Sequence, residues 1–560
     1  MENLTLNSRQ ICDLELLING GFNPLEGFLK KNDYESVLKN MRLADGSLWT
    51  MPITLAITST DAEKLKHCDT VTLKDPTGLN ICTMDISGED SIYKYDWQEE
   101  AKYVFGTDDT NHPYTKILKE QYEKGYKYYL GGKIIKGIIP PHFDFLEHRL
   151  SPSQTKEFFK KNNWKKVIGF QTRNPMHKSH YFLTQKALQD AGEDAKLLLH
   201  PVVGVTQECD VNYHTRVRCY KKLLNHYQED TVKLSLLPLS MRMAGPREAV
   251  WHAQIRKNYG CTHFVVGRDH AGPSYKTKDG ESFFGPYDAQ ELLLKHADEI
   301  GIKVLYSKFI VYALPKDGGE GVYMQIDKID REKYDIQNIS GTQQRELLNQ
   351  GKDIPEWFTF PDVVKELKLE YKPVNQRGLC LYFVGLSGSG KTTLAKAVEA
   401  KLRELIRDKQ ITYLDGDIVR THLSKGLGFS REDRSTNVRR IGYVASEVVK
   451  HGGLSICANI APYQEDRLYN RKIISNQGNY IQIWVNTSLE ECENRDCKGL
   501  YKLARAGKIK EFTGISDPFE TPDDSDLIVD GTKDLNELVN IVINQISNNN
   551  LLKFNYLIQT

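Results

Sequence analysis

The stretch LCLYFVGLSGSGKTTL, residues 379–394, combines an apolar run of strand length, a glycine-rich turn and the start of a helical pattern. Its central part, GLSGSGKT at 385–392, fits the phosphate-loop pattern GxxxxGK[ST] at every fixed position. The glycines let backbone N–H groups turn inward around phosphate oxygens, and the start of the following helix adds the positive end of its dipole. A chance glycine-serine-lysine loop would lack this strand–loop–helix order. The sequence therefore predicts a parallel α/β sheet that binds a nucleoside triphosphate here.

Within this loop, Lys391 should neutralise the β- and γ-phosphates, and Thr392 should be a ligand of Mg²⁺. Magnesium, entering with ATP, is the only cofactor that the sequence predicts. The predicted ATP contacts are Gly385, Ser387, Gly388, Ser389, Gly390, Lys391, Thr392 and Thr393.

The segments that follow contain a concentration of arginines. LDGDIVR at 414–420 follows a short β-rich run, so its carboxylates should lie at a strand end. LGFSREDR at 427–434 and NVRR at 437–440 come next. We expect Arg420, Arg434, Arg439 and Arg440 to converge on an anionic acceptor, since guanidinium groups bind anions through paired N–H donors. The alternative is a charged helix face in contact with solvent.

Taken in order, these motifs resemble adenosine 5′-phosphosulfate (APS) kinase over nearly all of 378–545. KGLYK at 498–502, ARAG at 504–507 and FTGI at 512–515 complete the match. The resemblance implies transfer of the γ-phosphoryl group of ATP to the 3′-hydroxyl of APS, with Asp417 and Lys391 as catalytic residues. Phe429 and Phe512 are expected to enclose the adenine of APS. The implied APS-binding set is Asp415, Asp417, Arg420, Phe429, Arg434, Asn437, Ile460, Lys498 and Phe512.

One position departs from this pattern. Many APS kinases have serine in the segment that reads IAPY at 460–463, and here the residue is Ala461. A phosphorylated enzyme intermediate on that serine is therefore excluded, which fits direct in-line transfer.

A second pair of motifs lies earlier in the chain. QTRNPMHKSH at 171–180 follows the strand-like run 167–170, and GRDHAGP at 267–273 follows the strand-like run 263–266. His177 and His180 should share one face of a first helical turn, where two imidazoles beside an arginine suit a polyphosphate. A capped helix with two surface histidines is one alternative. A zinc pair is another, although no third and fourth ligand falls at convincing spacing.

With MRMAGPRE at 241–248 and ISGTQQR at 339–345, these motifs closely resemble ATP sulfurylase, and the match extends over roughly 1–370. The family reaction joins sulfate to the α-phosphorus of ATP and releases pyrophosphate. The resemblance implies catalytic Thr172, Arg173, Asn174, His177, His180 and Arg268, and a sulfate site of Gln171, Arg173 and Ala271. It implies ATP contacts by Gln171, Asn174, Gly267, Arg268, Asp269, His270 and Val311. TQECD at 206–210 departs from the glycine-containing loop expected there, and Cys209 is either a tolerated variant or a redox-sensitive thiol.

The length of 560 residues predicts several domains. We expect an α/β multidomain protein with a PUA-like N-terminal domain of α+β or β type at 1–145 and a Rossmann-like nucleotidylyltransferase domain at 146–305. A small α/β subdomain with a linker should cover 306–372, and a phosphate-loop kinase domain 373–560. In the N-terminal part, alternation predicts strands at 49–55 and 70–73.

The charges are balanced, with 75 Lys+Arg against 74 Asp+Glu. This balance argues against a surface that binds nucleic acid or an anionic membrane, and so against an RNA-binding, nucleotide-switched protein. Ten scattered cysteines, the lack of a signal-like N-terminus and the lack of a long apolar run predict a cytoplasmic protein. The family resemblance implies a homo-oligomer, from dimer to hexamer.

Sulfate activation to 3′-phospho-APS, with ATP, sulfate and APS as substrates, is thus the predicted function. Two alternatives stay open at this stage. The kinase-like domain could be a non-catalytic, allosteric module, although the intact phosphate loop argues against this. The sulfurylase could also run in reverse and make ATP from APS and pyrophosphate.

Overall fold

The computed structural model describes residues 2–207, 209–306, 308–406 and 408–554. The chain forms two compact units: the first contains Met1–Ser340 and Ile354–Leu367, and the second contains Gly341–Asp353 and Lys368–Thr560. Each unit is described by itself below. Within the described residues, no helix has the length and apolar character needed to cross a membrane.

The N-terminal part of the first unit is an α+β structure with two mainly antiparallel sheets, ordered β1-β4-β5-β8-β2 and β3-β7-β6. Its strands are β1 (Glu2–Thr5), β2 (Gly27–Phe28), β3 (Leu55–Ile57), β4 (Thr70–Lys74), β5 (Asn80–Asp85), β6 (Ile92–Lys94), β7 (Tyr128–Leu130) and β8 (Gly132–Gly137). Its helices are α1 (Ser8–Ile18), α2 (Lys31–Asn40), α3 (Ser59–Leu65), α4 (Trp97–Phe105) and α5 (Pro113–Glu123).

The strand predicted at 49–55 is wrong over most of its length, because only Leu55 belongs to a strand there. The alternating residues Trp49, Met51 and Ile53 are nevertheless fully buried. Pro52 has no N–H to donate to a ladder, and this segment satisfies its backbone through isolated bonds instead. The Trp49 N–H, for example, donates to the Met41 carbonyl at 3.0 Å. Alternation therefore indicated burial correctly but did not indicate strand pairing.

The next part of the first unit is a parallel sheet with the order β11-β10-β9-β12-β13. The strands are β9 (Lys166–Phe170), β10 (Ala195–Leu199), β11 (Val232–Leu234), β12 (His263–Val266) and β13 (Lys303–Tyr306). The helices are α6 (Pro152–Lys161), α7 (Lys178–Ala191), α8 (Tyr213–Leu224), α9 (Pro246–Asn258) and α10 (Asp288–Ile300). Strand order reverses between β9 and β12, so a ligand crevice is expected at the carboxyl ends of these two strands.

The segment after this sheet belongs partly to each unit. Three antiparallel strands, β14 (Ile310–Pro315), β15 (Val322–Gln325) and β16 (Tyr334–Gln337), form a sheet with the order β15-β14-β16. Helix α11 (Gly341–Asn349) lies in the second unit, and α12 (Pro361–Glu370) begins in the first unit, which ends at Leu367.

The second unit is built on a parallel sheet with the order β18-β19-β17-β20-β21. The strands are β17 (Leu379–Val384), β18 (Ile411–Asp415), β19 (Leu454–Ala458), β20 (Asn479–Asn486) and β21 (Leu527–Asp530). The helices are α13 (Lys391–Leu405), α14 (Gly416–His422), α15 (Arg431–Lys450), α16 (Gln464–Ser475), α17 (Leu489–Arg495), α18 (Leu500–Arg505) and α19 (Leu535–Asn548). All six residues of β17 are fully buried, as its continuous apolar run requires of a central strand.

Helices α15 and α16 pack closely at Gly442. A Cβ atom at this position would lie 1.9 Å from Oδ1 of Asn470. Asn470 cannot easily move, since its Nδ2 donates to the Tyr382 hydroxyl at 3.0 Å and to the Val438 carbonyl at 2.9 Å. Glycine is thus the residue that lets these two helices approach each other.

We expect Gly442→Ala to destabilise the second unit by about 2 kcal/mol, because a Cβ 1.9 Å from Oδ1 of Asn470 puts the cost of overpacking near the upper end of its range of about 1–3 kcal/mol, and the gain in helix propensity is only about 1 kcal/mol. Urea unfolding of the full chain measures this as an earlier transition of the second unit. Gly341→Ala is the matched control, since a Cβ there meets only the Arg345 side chain, at 3.5 Å. An unchanged transition for Gly442→Ala would show that the contact is not tight.

Candidate functional sites

In the second unit, the loop 385–390 turns between β17 and α13 as the phosphate-loop motif requires. Gly388 and Gly390 have φ values of 76° and 95°, which favour glycine. A Cβ at Gly385 would lie 2.7 Å from the Val485 carbonyl oxygen. Lys391 opens α13, and its Nζ donates to the Leu386 carbonyl at 3.1 Å across the loop. The loop thus forms a cradle of backbone N–H groups with an ammonium at its edge.

The charged form of Lys391 is destabilised by its surroundings. Burial lowers the pKa of its ammonium to about 8, and the nearby charge of Lys498 acts in the same direction. A phosphate beside Lys391 would favour the protonated form. A polyphosphate bound in the loop would therefore stabilise the protonated ammonium, which burial destabilises.

The residues next to Lys391 fit a magnesium ion that enters with a nucleotide. The Thr392 hydroxyl lies 3.5 Å from Oδ2 of Asp415, so a hydroxyl and a carboxylate oxygen lie together at the start of α13. Magnesium prefers such oxygen donors and is commonly held by one or two protein ligands plus substrate phosphates. No cluster of three or more His, Cys, Asp or Glu side chains suited to a metal occurs among the described residues.

A cavity of about 670 Å³ opens in front of this loop. Its lining includes most of the nucleotide- and acceptor-binding residues predicted from the sequence: Ser387, Lys391, Thr392, Asp415, Asp417, Arg420, Phe429, Arg434, Asn437, Ile460, Lys498 and Phe512. The glycines of the loop, Ser389 and Thr393 do not line it. Lys508, Lys510 and Thr513 line it as well and were not predicted. The cavity is large enough for a nucleotide-sized ligand.

The two arginines that line this cavity are held by protein groups. Arg420 stacks on the Phe429 ring, with 4.5 Å from Cζ to the ring centroid, and donates to the Gly428 carbonyl at 2.7 Å. Arg434 donates to the Thr513 hydroxyl at 2.7 Å and pairs with Asp517 at 2.5 Å. These contacts fix the directions of both guanidinium groups.

The prediction that Arg439 and Arg440 face the same acceptor is wrong. Arg439 pairs with Glu465 and with Asp466, and Arg440 donates to the Leu423 carbonyl at 3.1 Å. A helix turns by about 100° per residue, so a residue five positions after Arg434 lies about 140° around the helix axis. On this helix the cavity is lined by Arg434, Asn437 and Val438, and not by Arg439 or Arg440.

Asp417 forms an ion pair with Lys498 at the mouth of the cavity, and its own N–H donates to Oδ1 of Asp415 at 2.9 Å. Both partners of the ion pair are largely exposed, so the pair can open at small cost. Ala461 is buried on the cavity wall, and its carbonyl accepts from Arg467 at 2.8 Å. It provides no hydroxyl for a covalent intermediate.

In the first unit, the loop after β9 places His177 and His180 together. Their ring centroids are 4.0 Å apart, and the His177 ring stacks on Phe358 at 4.8 Å. Burial lowers the pKa of His180 to about 4 and that of His177 well below its usual range, so both rings are neutral. The Nδ1 atoms of both are buried without a hydrogen-bond partner in the described protein. Two neutral imidazoles with unused polar atoms suit a ligand that brings its own charge.

Arg173 connects this loop to the turn after β12. Its Nη1 lies 3.0 Å from both carboxylate oxygens of Asp210, and its Nη2 donates to the Gly272 carbonyl at 3.3 Å. Thr172 and Asn174 hold the loop in shape, because the Thr172 hydroxyl donates to the Asn174 carbonyl at 2.9 Å. The two predicted loops are therefore neighbours, as convergence of their strand ends requires.

A second cavity, of about 250 Å³, lies at the turn after β12. Of the residues predicted there, Arg268, Asp269 and His270 line it, together with Gly272, whereas Gly267 and Ala271 do not. Ala271 has a φ of 57° and accepts a hydrogen bond from the Gly245 N–H at 3.2 Å. Gln171 and Val311 lie outside this cavity: Gln171 donates to the Met241 sulfur at 3.6 Å, and Val311 is buried in β14.

Sequence reasoning missed part of this second cavity. The unpredicted lining comprises Gly245, Pro246, Pro273, Ser274, Tyr275, Lys276, Ser282, Phe283, Phe284, Gly285 and Ala289. The motif at 241–248 was a usable signal for the first two, since it was recognised without being assigned a role. The stretch 274–285 contains no pattern that would have identified it. Cys209, the departure noted in the sequence, is exposed.

The lowered pKa of Lys391 predicts proton uptake when a nucleoside triphosphate binds. Without nucleotide, Lys391 is partly neutral above about pH 8, and phosphate contact raises its pKa and returns the proton. Calorimetric titration with MgATP at about pH 8.5–9, in buffers of different ionisation enthalpy, should show this uptake, and it should vanish near pH 6.5. Lys391→Met should lose it, while Lys396→Met, at an exposed position on the same helix, should retain it. Equal uptake in both variants would contradict the assignment.

Comparison with known proteins matches three regions of the chain. Family models described as PUA-like domain, ATP-sulfurylase and adenylylsulphate kinase match residues 1–136, 147–370 and 377–530. The sulfate adenylyltransferase of Gibberella zeae is 44% identical over 98% of this chain and 94% of its own. That of Chaetomium globosum is 45% identical over the same shares. A hexameric APS kinase from Thiobacillus denitrificans is a structural match with a TM-score of 0.78 and 28% identity, covering 99% of this chain and 94% of that one.

Proposed function

This chain belongs to the sulfate adenylyltransferase family and carries an adenylylsulfate kinase domain after its sulfurylase domain, and we propose how its two sites carry out the two successive steps of sulfate activation. In the first step a sulfate oxygen bonds to the α-phosphorus of ATP, the bond from that phosphorus to the β-phosphate oxygen breaks, and pyrophosphate leaves. In the second step the 3′-hydroxyl oxygen of APS bonds to the γ-phosphorus of a second ATP, and ADP leaves.

For the first step, we assign the sulfate to Gln171, Arg173 and Ala271, and the nucleotide to the turn at 267–270 with contributions from Asn174 and Val311. His177 and His180 would stabilise charge that develops on the phosphates, since their buried Nδ1 atoms lack partners. Arg268, which is exposed beside the 250 Å³ cavity, would approach the same phosphates. Thr172 keeps the catalytic loop in shape.

For the second step, the main support is the 670 Å³ cavity. Residues of the phosphate-loop motif and residues predicted to bind the acceptor line it together. Phe429 and Phe512 line it and offer ring faces for adenine, while Arg420, Arg434 and Asn437 offer donors for the acceptor's anionic groups. Asp417 would accept the 3′-hydroxyl proton once its ion pair with Lys498 opens. Lys391 would neutralise the transferred phosphoryl group.

We propose that Mg²⁺ accompanies ATP at the kinase site, held by the Thr392 hydroxyl with Asp415 nearby. When bound, the ion supplies neutralisation of phosphate charge. Thr392→Val should raise the KM for MgATP in the kinase step without changing the sulfurylase step, because valine has no oxygen donor. A KM equal to that of the unchanged chain would exclude Thr392 as a ligand.

A one-pot experiment tests the two assignments separately. The protein is incubated with labelled sulfate, MgATP and pyrophosphatase, and labelled APS and 3′-phospho-APS are separated. We expect Lys391→Ala to accumulate APS with at least a hundredfold loss of 3′-phospho-APS, and His180→Ala to lose both products, since single charge-stabilising groups are worth about 10²–10³ in rate. Lys396→Ala is the control.

The same experiment distinguishes a regulatory kinase-like domain. If the unchanged chain makes APS but no 3′-phospho-APS, even when APS and MgATP are supplied, the kinase assignment fails while the sulfurylase assignment stands. The reverse pattern would remove the sulfurylase assignment alone.

We also propose that the chain acts as a homo-oligomer, supported by the hexameric assembly of the structurally similar Thiobacillus denitrificans protein. Sedimentation of the purified chain should give a mass that is a multiple of 64.1 kDa, and a monomer at micromolar concentration would contradict this. We propose a cytoplasmic location as well, supported by the ten cysteines, none of which forms a disulfide in the described part of the chain.

A further inference from the structure

A short segment of the N-terminal part, residues 109–112, contacts two loops that form walls of the 250 Å³ cavity. It lies between α4 and α5. Its first residue, Asp109, contacts the loop 274–285, and its last, His112, contacts the turn 241–245. Both loops contribute cavity-lining residues that sequence reasoning missed. We call the segment 109–112 the bracket.

Asp109 holds the loop 274–285 through a backbone hydrogen bond. The Lys278 N–H donates to Oδ2 of Asp109 at 2.9 Å, while Oδ1 accepts from the Asn111 N–H at 2.9 Å. Lys278 lies in the turn of this loop, which the Thr277 N–H closes by donating to the Glu281 carbonyl at 2.9 Å. Because only 13% of the Asp109 side chain is exposed, water competes little with these bonds.

His112 holds the other loop, and the partners of its two ring nitrogens assign its tautomer. Nε2 lies 3.0 Å from the Met243 carbonyl oxygen, which can only accept, so Nε2 carries the proton. Nδ1 is then the acceptor, as the Tyr114 and Thr115 N–H groups at 3.3 and 3.4 Å require. The fully buried His112 therefore caps α5 and donates to Met243 at the same time.

The bond from His112 reaches the backbone at an unusual conformation. Met243 has a φ of 62°, in the left-handed region that residues other than glycine rarely adopt. The N–H groups on either side, those of Arg242 and Ala244, donate to the Glu248 carboxylate at 3.1 and 2.7 Å. Such a conformation persists only where neighbouring groups hold it. His112 supplies one of these restraints from the N-terminal part.

This turn continues directly into the cavity wall. Gly245 lines the cavity, and its N–H donates to the Ala271 carbonyl at 3.2 Å. A Cβ at Gly245 would lie 2.6 Å from the Phe284 ring, so the turn and the loop 274–285 touch each other. The Phe283 ring also meets His112 edge-on, at 5.1 Å between ring centroids. A displacement of the bracket would therefore move both walls.

We propose that Asp109 and His112 are positioning residues for the nucleotide of the sulfurylase step, through which the N-terminal part shapes the wall of the ATP site. The inference rests on the proposed function, which assigns the nucleotide to the turn 267–270 in the same cavity. The wall that the bracket holds includes the Lys276 side chain and two phenylalanine rings. An ammonium suits phosphate oxygens, and aromatic rings suit the apolar faces of a nucleoside.

Two substitutions of His112 separate its two bonds. The amide nitrogen in His112→Gln lies near the position of Nε2 and can donate to the Met243 carbonyl. The shorter side chain in His112→Asn can cap α5 but does not reach Met243. We expect His112→Asn to raise the KM for ATP in the sulfurylase step about three- to tenfold, the value of one lost hydrogen bond. His112→Gln should recover most of this loss.

Sulfurylase turnover is followed as phosphate released from pyrophosphate by added pyrophosphatase, a signal to which the kinase step does not contribute. The KM for sulfate should change less than the KM for ATP, because Gln171 and Arg173, which are assigned to sulfate, do not line this cavity. A merely structural role of His112 would reduce the amount of active enzyme, and so the apparent kcat, and would leave both KM values unchanged.

Limited proteolysis tests the Asp109 bond without any substrate. Lys276 and Lys278 are exposed, so trypsin can cut the loop there once it opens locally. Asp109→Ala should speed this cleavage about three- to tenfold, as measured by mass spectrometry of the fragments. Asp108→Ala is the matched control, since Asp108 pairs with Lys102 at 3.3 Å within the N-terminal part.

The outcomes separate two failures. If the unchanged chain releases no sulfate-dependent pyrophosphate from ATP, the proposed function fails, and the cleavage rates still report whether the bracket holds the loop. If pyrophosphate is released, three results would each overturn the positioning role. These are an unchanged KM for ATP in His112→Asn, a KM in His112→Gln no better than in His112→Asn, and cleavage of Asp109→Ala no faster than that of Asp108→Ala.

Discussion

Both sites depend on polar and cationic groups that are kept dry at the carboxyl edge of a parallel sheet. Strands β9 and β12 in the first unit, and β17 in the second, end in loops that carry the residues of the two sites. Burial lowers the pKa values of Lys391, His177 and His180. Because each group is poorly solvated without a ligand, an incoming anion gains more from it than from the same group in water. The sheets are needed to hold such groups in place, since a flexible loop would let them return to solvent.

The same edges show how a protein tolerates such sites without a ligand. Arg173 is paired with Asp210, and Arg434 with Asp517, so two of the arginines that face an expected anion already have an internal carboxylate. These pairs explain how a chain with nearly equal numbers of acidic and basic residues can handle highly charged substrates. The charge is balanced locally, site by site, and not only over the whole surface. An incoming anion must compete with these carboxylates or share the arginine with them, which favours ligands of high charge density over weakly charged ones.

Sequence reasoning was most successful where a site is formed by residues that are close along the chain. The phosphate loop and the acceptor motifs predicted most of the lining of the 670 Å³ cavity, and the PUA-like, sulfurylase and kinase domains each have a matching family model. It was wrong for Arg439 and Arg440, because sequence proximity hides the rotation of a helix. It could not find Phe283 and Phe284, which reach the 250 Å³ cavity from a segment without a recognisable pattern. The approach of His252 on α9 to His270, at 3.0 Å between Nδ1 and Nε2, was also beyond it, since only the fold brings α9 close to the turn after β12.

The path of the chain near residues 341–367 has a consequence for dissecting this protein. The polypeptide leaves the first unit after Ser340, returns to it at Ile354 and leaves it again after Leu367. Helix α11 belongs to the second unit, so a gene fragment that starts at the phosphate-loop domain would lack it. A fragment that stops before that domain would contain α11 without the rest of its unit. Three covalent crossings, not one, join the two catalytic halves. Fission into two independently expressed enzymes, or exchange of one half with a homologue by a single crossover, would leave at least one half with an incomplete fold.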